Sequence, residues 1–389
     1  MNVEQRIKNI EEGLLEVAVD PSGFTDFKSL TQIPRKASLL DRMAYYKTPG
    51  VSIAVINDNR IEWAKAYGAL KAGANAPVTT ESVFEAASIS KLVVAAVVLH
   101  HVESGALSLD EDVNRYLKSW RVPENEFTRE KKVTLRLLLS HQSGLPLLNT
   151  MWYDEKVGVP TLVQVLKGEA PAWNKPAILE HVPGNVWRYS SIGYVLIQLL
   201  LEDALERPFA EIAEETIFKP TGMKSSTFMY PLNAEQRQRE AMPHNKNGEL
   251  CEPAMHGSAL AQGGLITTPT DLAKFTLELM QAYQGKSRGI FSQGMARQLF
   301  NSEREIDFYG LPMAMGLGAF LRGKDHFTFS HTGYNYPGSG SWLEACPNEG
   351  KGVTVMVNGE NAVLLELEIL AAVFKEYEWE TDPYLRLSR

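Results

Sequence analysis

The sequence predicts an α+β fold in which an antiparallel β-sheet is flanked by N-terminal and C-terminal helices and carries a large, mostly helical insertion. Strand-like runs of β-branched and aromatic residues lie near both ends of the 389-residue chain, whereas helical periodicity dominates between them. Short turns separate the strand-like runs, which favours antiparallel pairing in one shared sheet. We therefore expect residues 1–87 and 310–389 to form a sheet domain, residues 88–309 to form a helical domain, and a cleft to lie between them.

The N-terminal part of the chain predicts one helix and then a hairpin. Apolar residues at helical spacing run from Val3 to Val17, so residues 1–19 are expected to form the first helix. Residues 51–70 contain two β-branched and aromatic runs joined by a polar turn at residues 57–59, which is typical of a β-hairpin. This hairpin would supply the first strands of the sheet.

The rest of the chain predicts helices and then strands. Helical periodicity marks four segments of the insertion, residues 90–105, 133–144, 191–206 and 268–283. Helix starts are predicted at Ser108 with Glu111, and at Thr268 with Pro269 and Asp271, as cap, first-turn proline and third-position acid. Strand-like runs return in residues 311–323, 326–333, 338–347 and 351–359, before a last helix over residues 362–378.

Composition and charge exclude several classes of protein. Lys plus Arg total 39 against 47 Asp plus Glu, which gives a formal net charge of -8, and no long basic run is present to bind nucleic acid. Cys251 and Cys346 are far apart, so we expect buried free thiols rather than a disulfide framework or a zinc site. Since no metal-binding, phosphate-binding or dinucleotide-binding motif occurs, no metal and no cofactor are expected.

Insertion into a membrane is not expected either. The longest strongly apolar run, residues 92–99, is much shorter than the roughly 20 residues that a membrane-spanning helix requires. The N-terminus mixes charged with apolar residues, unlike a signal peptide, so a cytoplasmic location is expected. The sequence makes no prediction of the oligomeric state.

The pair Ser88 and Lys91 is the main candidate for chemistry. The two residues open a helix whose next eight residues are apolar on every side, so this helix is expected to be buried. Positions i and i+3 share a helix face, which places the Lys91 amine beside the Ser88 hydroxyl. Apolar surroundings lower a lysine pKa, and a neutral amine can take the serine proton near pH 7. The pattern therefore predicts an activated serine at a helix N-terminus, where backbone N–H groups favour an oxyanion.

Several of these motifs and residues also have interpretations without catalysis. A capping serine and a surface lysine would explain Ser88 and Lys91 without chemistry, but this is the only Ser-x-x-Lys in the sequence and the apolar run does not suit a solvated face. Residues 285–289 match Gly-x-Ser-x-Gly, the nucleophile motif of a different hydrolase fold. That motif needs a preceding strand, and here a helical segment precedes it, so an exposed loop is expected. His100, His101 and His141 are expected to serve packing or capping.

Five segments, in this order along the chain, resemble one family. They are FEAASISKLVVAAVVLHHVESGALSLDEDV, LLLSHQSGLP, PGNVWRYSSIGYVLIQLL, GGLITTPTDLAKF and SHTGYNYPGSGSWLEACP. Together they resemble the serine β-lactamase and penicillin-binding protein superfamily, particularly its class C-like branch, which includes family VIII carboxylesterases and D-aminopeptidases. The resemblance implies a β-lactamase/transpeptidase-like fold with the active site in the cleft between the sheet domain and the helical domain.

The resemblance also implies roles for single residues. Ser88 matches the family nucleophile, Lys91 its companion base, and Tyr189 the tyrosine that relays protons between the nucleophile and the leaving group. His331, Thr332 and Gly333 match the third motif, on a strand that lines the site. The backbone N–H groups of Ser88 and Tyr334 would form the oxyanion hole. A core tyrosine and a structural strand histidine are the alternatives for Tyr189 and His331.

Two departures from the family pattern bear on the substrate. Ser191 occupies the asparagine position of the second motif and lacks the carboxamide that can hold an acylamide side chain. His331 replaces the usual lysine of the third motif and so removes a permanent positive charge. Both changes favour neutral esters. Trp152 and Tyr153 are further candidates to line an apolar substrate pocket, with interior packing as the alternative.

The expected function is that of a serine hydrolase acting through an acyl-enzyme, with a carboxylesterase of short or medium acyl esters as the favoured form. A D-amino-acid-directed peptidase or amidase and a weak β-lactamase are alternatives with the same chemistry. A non-catalytic relative that binds penicillin or peptides is an alternative of another class. The expected partner is a small-molecule ester or amide substrate.

Overall fold

Strands from both ends of the chain meet in one antiparallel sheet. The computed structural model describes residues 1–19, 27–147, 153, 157–253, 257–287, 289–323 and 327–379. The strands are β1 (Leu14–Val19), β2 (Leu30–Ala37), β3 (Gly50–Asn57), β4 (Arg60–Gly68), β5 (Phe84–Glu85), β6 (Ile266–Thr267), β7 (Arg304–Phe308), β8 (Leu311–Met315), β9 (Phe320–Arg322), β10 (Thr328–Asn335), β11 (Ser339–Cys346) and β12 (Lys351–Val357). Eight of them form the main sheet in the order β4-β3-β12-β11-β10-β9-β8-β7. The predicted α+β fold class is therefore confirmed.

Most of the helices come from the middle of the chain. They are α1 (Val3–Glu11), α2 (Leu39–Tyr46), α3 (Ser90–Glu103), α4 (Glu126–Glu130), α5 (Leu135–Leu139), α6 (Leu162–Lys167), α7 (Ser191–Leu205), α8 (Phe209–Ala213), α9 (Lys219–Thr221), α10 (Ala234–Gln238), α11 (Pro269–Tyr283), α12 (Gln293–Leu299) and α13 (Ala362–Glu376). Helices α1, α2 and α13 come from the two ends of the chain, and α3 to α12 come from the stretch between the hairpin and β7.

Each face of the sheet belongs to a different hydrophobic core. In β3, Ile53 and Val55 are buried with the apolar residues of α1, α2 and α13. Ala54 and Ile56, which alternate with them, are buried with those of α3, α7 and α11. Because both faces are covered, β3 is buried continuously from Gly50 to Ile56 instead of at alternate residues.

The predicted N-terminal helix is too long. Helix α1 ends at Glu11, and the residues from Leu14 onward form β1, which pairs with β2 in a separate two-stranded sheet. Gly13 lies at the break, where a Cβ would stand 2.3 Å from the carbonyl oxygen of Asn9. The strand depends on pairing with residues 30–37, and the spacing of apolar residues inside a short window does not reveal such a partner.

One predicted helix start is correct and one is wrong. The Asp271 amide donates to Thr268 Oγ1 at 3.1 Å, and Pro269 is the first residue of α11, as predicted. No helix starts at Ser108, whose hydroxyl accepts the Asp110 amide at 3.3 Å in a turn. The Ser-x-x-Glu pattern does not start a helix here, because the Ser108 side chain accepts a backbone hydrogen bond within a turn instead.

The sheet reaches further into the middle of the chain than the sequence predicts. Strand β7 starts at Arg304, before the expected domain boundary at residue 310. In addition, α11, which belongs to the predicted helical domain, packs on β3, β4 and β12. The division into two domains with a cleft between them remains a prediction.

Candidate active site

A strained turn places Ser88 at the start of α3. Ala87 has a φ of 47°, which is unusual for a residue with a Cβ, and it opens a single 3-10 turn that ends at Ile89. The Ser90 hydroxyl stabilises the turn. It donates a hydrogen bond to the Ala87 carbonyl at 2.6 Å and accepts one from the Leu265 amide at 3.0 Å. Ser88 itself is half-buried, so its hydroxyl remains within reach of a substrate.

Lys91 lies one helical turn further, as its spacing predicts. Its Nζ is 3.0 Å from Ser88 Oγ and 2.5 Å from the carbonyl oxygen of Gln262. The residue is 0% exposed, in a helix buried from Ser90 to Leu99. Burial lowers the pKa of Lys91 from 10.5 to about 7, because a buried ammonium loses its hydration. The amine is therefore able to gain and lose a proton at neutral pH.

Tyr189 reaches the same place from the residues just before α7. Lys91 Nζ lies 5.1 Å from the centroid of its ring, and the Ser88 hydroxyl is near enough to the phenol to lower the pKa of Tyr189. Burial raises the pKa of Tyr189 well above 10, and the influence of the Ser88 hydroxyl offsets only part of this rise. The structure thus brings Ser88, Lys91 and a neutral Tyr189 phenol together.

Strand β10 passes directly against the Ser88 turn. A Cβ on Gly333 would lie 2.1 Å from the Ala86 carbonyl oxygen and 3.0 Å from the Ser88 backbone nitrogen, so only glycine allows this approach. Thr332 is half-buried beside it, and the next residue, Tyr334, has a side chain that is 42% exposed. The predicted third motif therefore lies next to Ser88.

His331 is buried and uncharged. Its Nδ1 donates to the Thr332 carbonyl at 2.7 Å, and its ring centroid is 5.3 Å from that of Phe320. Burial, together with the neighbouring Lys91 amine, lowers the pKa of His331 to about 3. The side chain that stands at the family's lysine position therefore carries no positive charge at neutral pH.

The other predicted site residues differ in where the structure places them. Ser191 is the first residue of α7 and is 9% exposed. Tyr153 is 4% exposed and belongs to the hydrophobic core around α3 and α7, so its position is that of a packing residue. Trp152 lies outside the described residues. A pocket role for these aromatics remains a prediction.

Sequence reasoning missed three residues that shape the site. Ser341 Oγ donates to the Ala86 carbonyl at 2.7 Å, and Asn335 Nδ2 donates to Glu85 Oε2 at 2.9 Å, so both tie the β10–β11 hairpin to the Ser88 turn. His141, expected to serve packing or capping, lies against Tyr189 with 4.3 Å between ring centroids. No local pattern marks these residues, because each contact joins distant parts of the chain.

The competing Gly-x-Ser-x-Gly segment does not form a nucleophile elbow. The segment follows helix α11 rather than a strand, and the Ser287 hydroxyl donates to the Glu278 carboxylate at 2.8 Å. Gly285, Lys286 and Gly289 are exposed, which agrees with the predicted loop.

The described part of the chain lacks metal-binding clusters and membrane-spanning helices. Within those ranges, no group of three or more His, Cys, Asp or Glu could hold a metal ion. Over the same residues, the helices are too short or too polar for any of them to cross a bilayer. Cys346 is buried and Cys251 is half-buried, and both thiols are free.

Comparison with known proteins agrees with this geometry. The model of the Beta-lactamase family matches residues 37–373. The D-alanyl-D-alanine-carboxypeptidase/endopeptidase AmpH of Escherichia coli (strain K12) is 25% identical over 277 residues, which are 69% of this chain and 68% of AmpH. A putative D-alanyl-D-alanine carboxypeptidase of Escherichia coli O157:H7 is 28% identical over 330 residues, which are 77% of this chain and 74% of that protein.

Solved structures share the fold. The octameric penicillin-binding protein homologue from Pyrococcus abyssi has a TM-score of 0.74 at 24% identity, over 87% of this chain and 76% of its own. The D-amino acid amidase from Ochrobactrum anthropi SV3 has a TM-score of 0.71 at 22% identity, over 87% of this chain and 96% of its own. The family match spans most of the 389 residues. The chain therefore belongs to the Beta-lactamase family and is a serine hydrolase of the β-lactamase and penicillin-binding protein superfamily.

Proposed function

We propose that the chain is a carboxylesterase of short or medium acyl esters, with Ser88 as nucleophile and Lys91 as base. One observation carries the proposal: Ser88 Oγ lies 3.0 Å from a fully buried amine whose pKa is about 7. A serine hydroxyl is a weak nucleophile until a base takes its proton. A lysine that is half-deprotonated at neutral pH is such a base, and the substrate would bind in the cleft between the sheet domain and the helical domain.

Acylation follows from the contacts of Lys91. The Gln262 carbonyl accepts one N–H of the neutral amine, which leaves its lone pair for the Ser88 hydroxyl proton. As the Oγ–C bond forms, the proton moves to Nζ and the carbonyl oxygen becomes an oxyanion. The backbone N–H groups of Ser88 and Tyr334 would stabilise that charge. When the C–O bond to the alcohol breaks, the Tyr189 phenol donates its proton to the departing oxygen and regains one from Lys91.

Deacylation uses the same groups in reverse. Water gives its proton to the Tyr189 and Lys91 pair while its oxygen attacks the acyl carbon, and the Ser88–acyl bond then breaks as the proton returns to Oγ. In the resting site the phenol is neutral, because burial raises the pKa of Tyr189. Lys91 is therefore the base of the resting site, and Tyr189 is the proton relay.

Two features support esters over substrates that carry a carboxylate or an acylamide. His331 is neutral and buried at the position where the family more familiarly has a lysine, so it offers no charge to a substrate carboxylate. Ser191 presents a hydroxyl where a carboxamide would both donate and accept hydrogen bonds.

The second candidate is a D-amino-acid-directed peptidase or amidase. It is favoured by the relatives named D-alanyl-D-alanine carboxypeptidase and by the structural likeness to a D-amino acid amidase. The Ser88, Lys91 and Tyr189 arrangement serves either reaction, and it also serves a weak β-lactamase. Retention of all three groups is an argument against a non-catalytic relative that only binds penicillin or peptides.

One preparation tests both candidates. We expect the unaltered chain to hydrolyse a p-nitrophenyl ester of a short acid faster than a D-alanyl p-nitroanilide or a chromogenic cephalosporin. The Ser88→Ala variant should lose the ester activity, and mass spectrometry should detect the acyl group on Ser88 in the unaltered chain. Equal ester turnover by both proteins would overturn the mechanism. A dominant rate on the anilide or the cephalosporin would overturn the ester assignment alone.

A further inference from the structure

His141 occupies a constrained position between α5 and a glycine turn. Its backbone has a φ of 59°, a left-handed conformation that histidine adopts more readily than most residues. The side chain is 1% exposed. A fully buried residue in this conformation is held in place by its surroundings, so its side chain keeps a single orientation towards its neighbours.

His141 contacts the segment around Tyr189 at three points. The backbone N–H of Arg188, the residue before Tyr189, donates to the His141 carbonyl at 2.9 Å. The backbone N–H of Ser190, the residue after it, donates to His141 Nδ1 at 3.1 Å. The imidazole and the Tyr189 ring have centroids 4.3 Å apart at an interplanar angle of 33°. One residue therefore holds the backbone on both sides of Tyr189 and supports its ring.

The hydrogen bonds also determine the tautomer of His141. Burial and the neighbouring Lys91 and His331 keep the pKa of His141 well below 6.5, so the ring is neutral. Since Nδ1 accepts the Ser190 amide, the proton lies on Nε2, which is buried and has no hydrogen-bond partner among the described residues. The groups facing this ring are Lys91, His331, Tyr189 and Tyr194.

We propose that His141 is a positioning residue for the reaction, because its Nδ1, its carbonyl and its ring together hold the Tyr189 phenol at the Ser88 hydroxyl and at the departing alcohol. This inference rests on the proposed function. Tyr189 matters most when the leaving group needs a proton, as an alkoxide does. Loss of His141 should therefore slow esters of ordinary alcohols more than esters whose alcohol leaves without protonation.

Two substitutions separate the contacts. His141→Asn keeps an oxygen near the place of Nδ1 and tolerates the left-handed backbone, but it removes the ring. His141→Phe keeps a ring against Tyr189 and removes the acceptor for Ser190. His100→Asn is the matched control, since the His100 ring also forms a hydrogen bond with the backbone, donating to the Ile290 carbonyl at 2.7 Å, but lies at the far end of α3. Thermal unfolding shows which variants fold.

The measurement compares kcat/KM for an ethyl ester and a p-nitrophenyl ester of the same acid, because kcat/KM covers the steps up to loss of the alcohol. For His141→Asn and His141→Phe we expect a loss of roughly 100-fold on the ethyl ester and of at most about 10-fold on the p-nitrophenyl ester. His100→Asn should stay within about 2-fold of the unaltered chain on both.

A double variant sharpens the test. If His141 acts through Tyr189, His141→Asn combined with Tyr189→Phe should be no slower on the ethyl ester than Tyr189→Phe alone, within about 2-fold. Equal losses on the two esters, or losses that multiply in the double variant, would overturn the inference and leave the proposed function intact. Absence of hydrolysis by the unaltered chain would overturn the proposed function and this inference with it.

Discussion

Burial determines the pKa of Lys91. The side chain is 0% exposed and its pKa is lowered from 10.5 to about 7, so the amine changes its protonation state within the physiological range. His331 is also buried, and its pKa is lowered to about 3, so it remains neutral throughout that range. The pH dependence of acylation is therefore expected to follow Lys91.

The first residue-scale prediction concerns this pH dependence. Because only the neutral amine accepts the Ser88 proton, kcat/KM for a p-nitrophenyl ester should rise tenfold per pH unit below the pKa of Lys91, which is about 7, and then level off. Steady-state kinetics between pH 5 and pH 9 measure this profile. The same limb should persist in His331→Asn, since His331 does not titrate there. A rate that is independent of pH from 5 to 7 would contradict Lys91 as the base.

The second residue-scale prediction concerns Ser191. Ser191→Asn introduces at the start of α7 a carboxamide that can both donate to and accept from a substrate amide. We expect the ratio of anilide or cephalosporin turnover to ester turnover to rise by roughly 10-fold, as a good polar contact is worth about 1.4 kcal/mol. Ser191→Ala is the control, because it removes the hydroxyl without adding a carboxamide. An unchanged ratio would show that this position does not select the substrate.

At the scale of elements, the site depends on how closely a strand approaches a helix start. Strand β10 passes the Ser88 turn with Gly333 against the Ala86 carbonyl, and the hydroxyl of Ser341 on β11 bonds the same carbonyl at 2.7 Å. The approach aligns the backbone of β10 with the N-terminus of α3. The proposed oxyanion hole, made of the Ser88 and Tyr334 backbone N–H groups, would require both elements at this distance.

Gly333→Ala tests this contact. The added Cβ would lie 2.1 Å from the Ala86 carbonyl oxygen, so β10 must move away from the Ser88 turn. We expect kcat/KM for the ester to fall by at least about 100-fold, since misplacement by an ångström has that effect on catalysis. Steady-state kinetics and thermal unfolding together separate lost activity from lost folding.

Gly294→Ala is the matched control for that substitution. Gly294 lies within α12, and a Cβ there would be 3.5 Å from the nearest atom, the Ser292 hydroxyl, which is ordinary contact. Alanine favours a helix over glycine by roughly 0.5 to 1 kcal/mol, so this variant should unfold at a slightly higher temperature with unchanged activity. A Gly333→Ala variant as active as Gly294→Ala would contradict the role given to the close approach.

At the scale of the whole molecule, the burial of the Lys91 amine lowers the stability of the fold. The pKa of Lys91 is 10.5 as the ordinary value and about 7 in the folded chain, so the unfolded chain binds more protons between these pH values. The free energy of unfolding therefore rises with pH over this window, by at most about 1.4 kcal/mol per pH unit from this residue.

Lys91→Met tests this cost. The variant removes the buried amine and should need more urea to unfold at pH 7 than the unaltered chain, although it loses hydrolytic activity. The difference between the two proteins should shrink as the pH rises from 7 towards 10, because the unaltered chain regains stability there. A difference that is constant with pH, or a variant that unfolds more readily at pH 7, would contradict a depressed lysine pKa.

Several predictions from the sequence are confirmed because they depend on neighbours along the chain. The hairpin of β3 and β4, the strands β10 to β12 and the capped start of α11 follow from alternation, turn residues and caps. The predicted helix over residues 1–19, of which Leu14–Val19 form β1, and the predicted helix start at Ser108 were wrong, since a pairing partner and a competing turn overrode the local pattern.

By itself, the sequence determined that Ser88 and Lys91 meet, because residues three apart in a helix share a face, and it determined the family through motifs in a given order. Only the tertiary structure decided that His141 packs against Tyr189, that the pKa of Lys91 falls to about 7 and that His331 is uncharged at neutral pH. Proximity between distant segments and the loss of hydration depend on how the whole chain packs, and no local window contains that information.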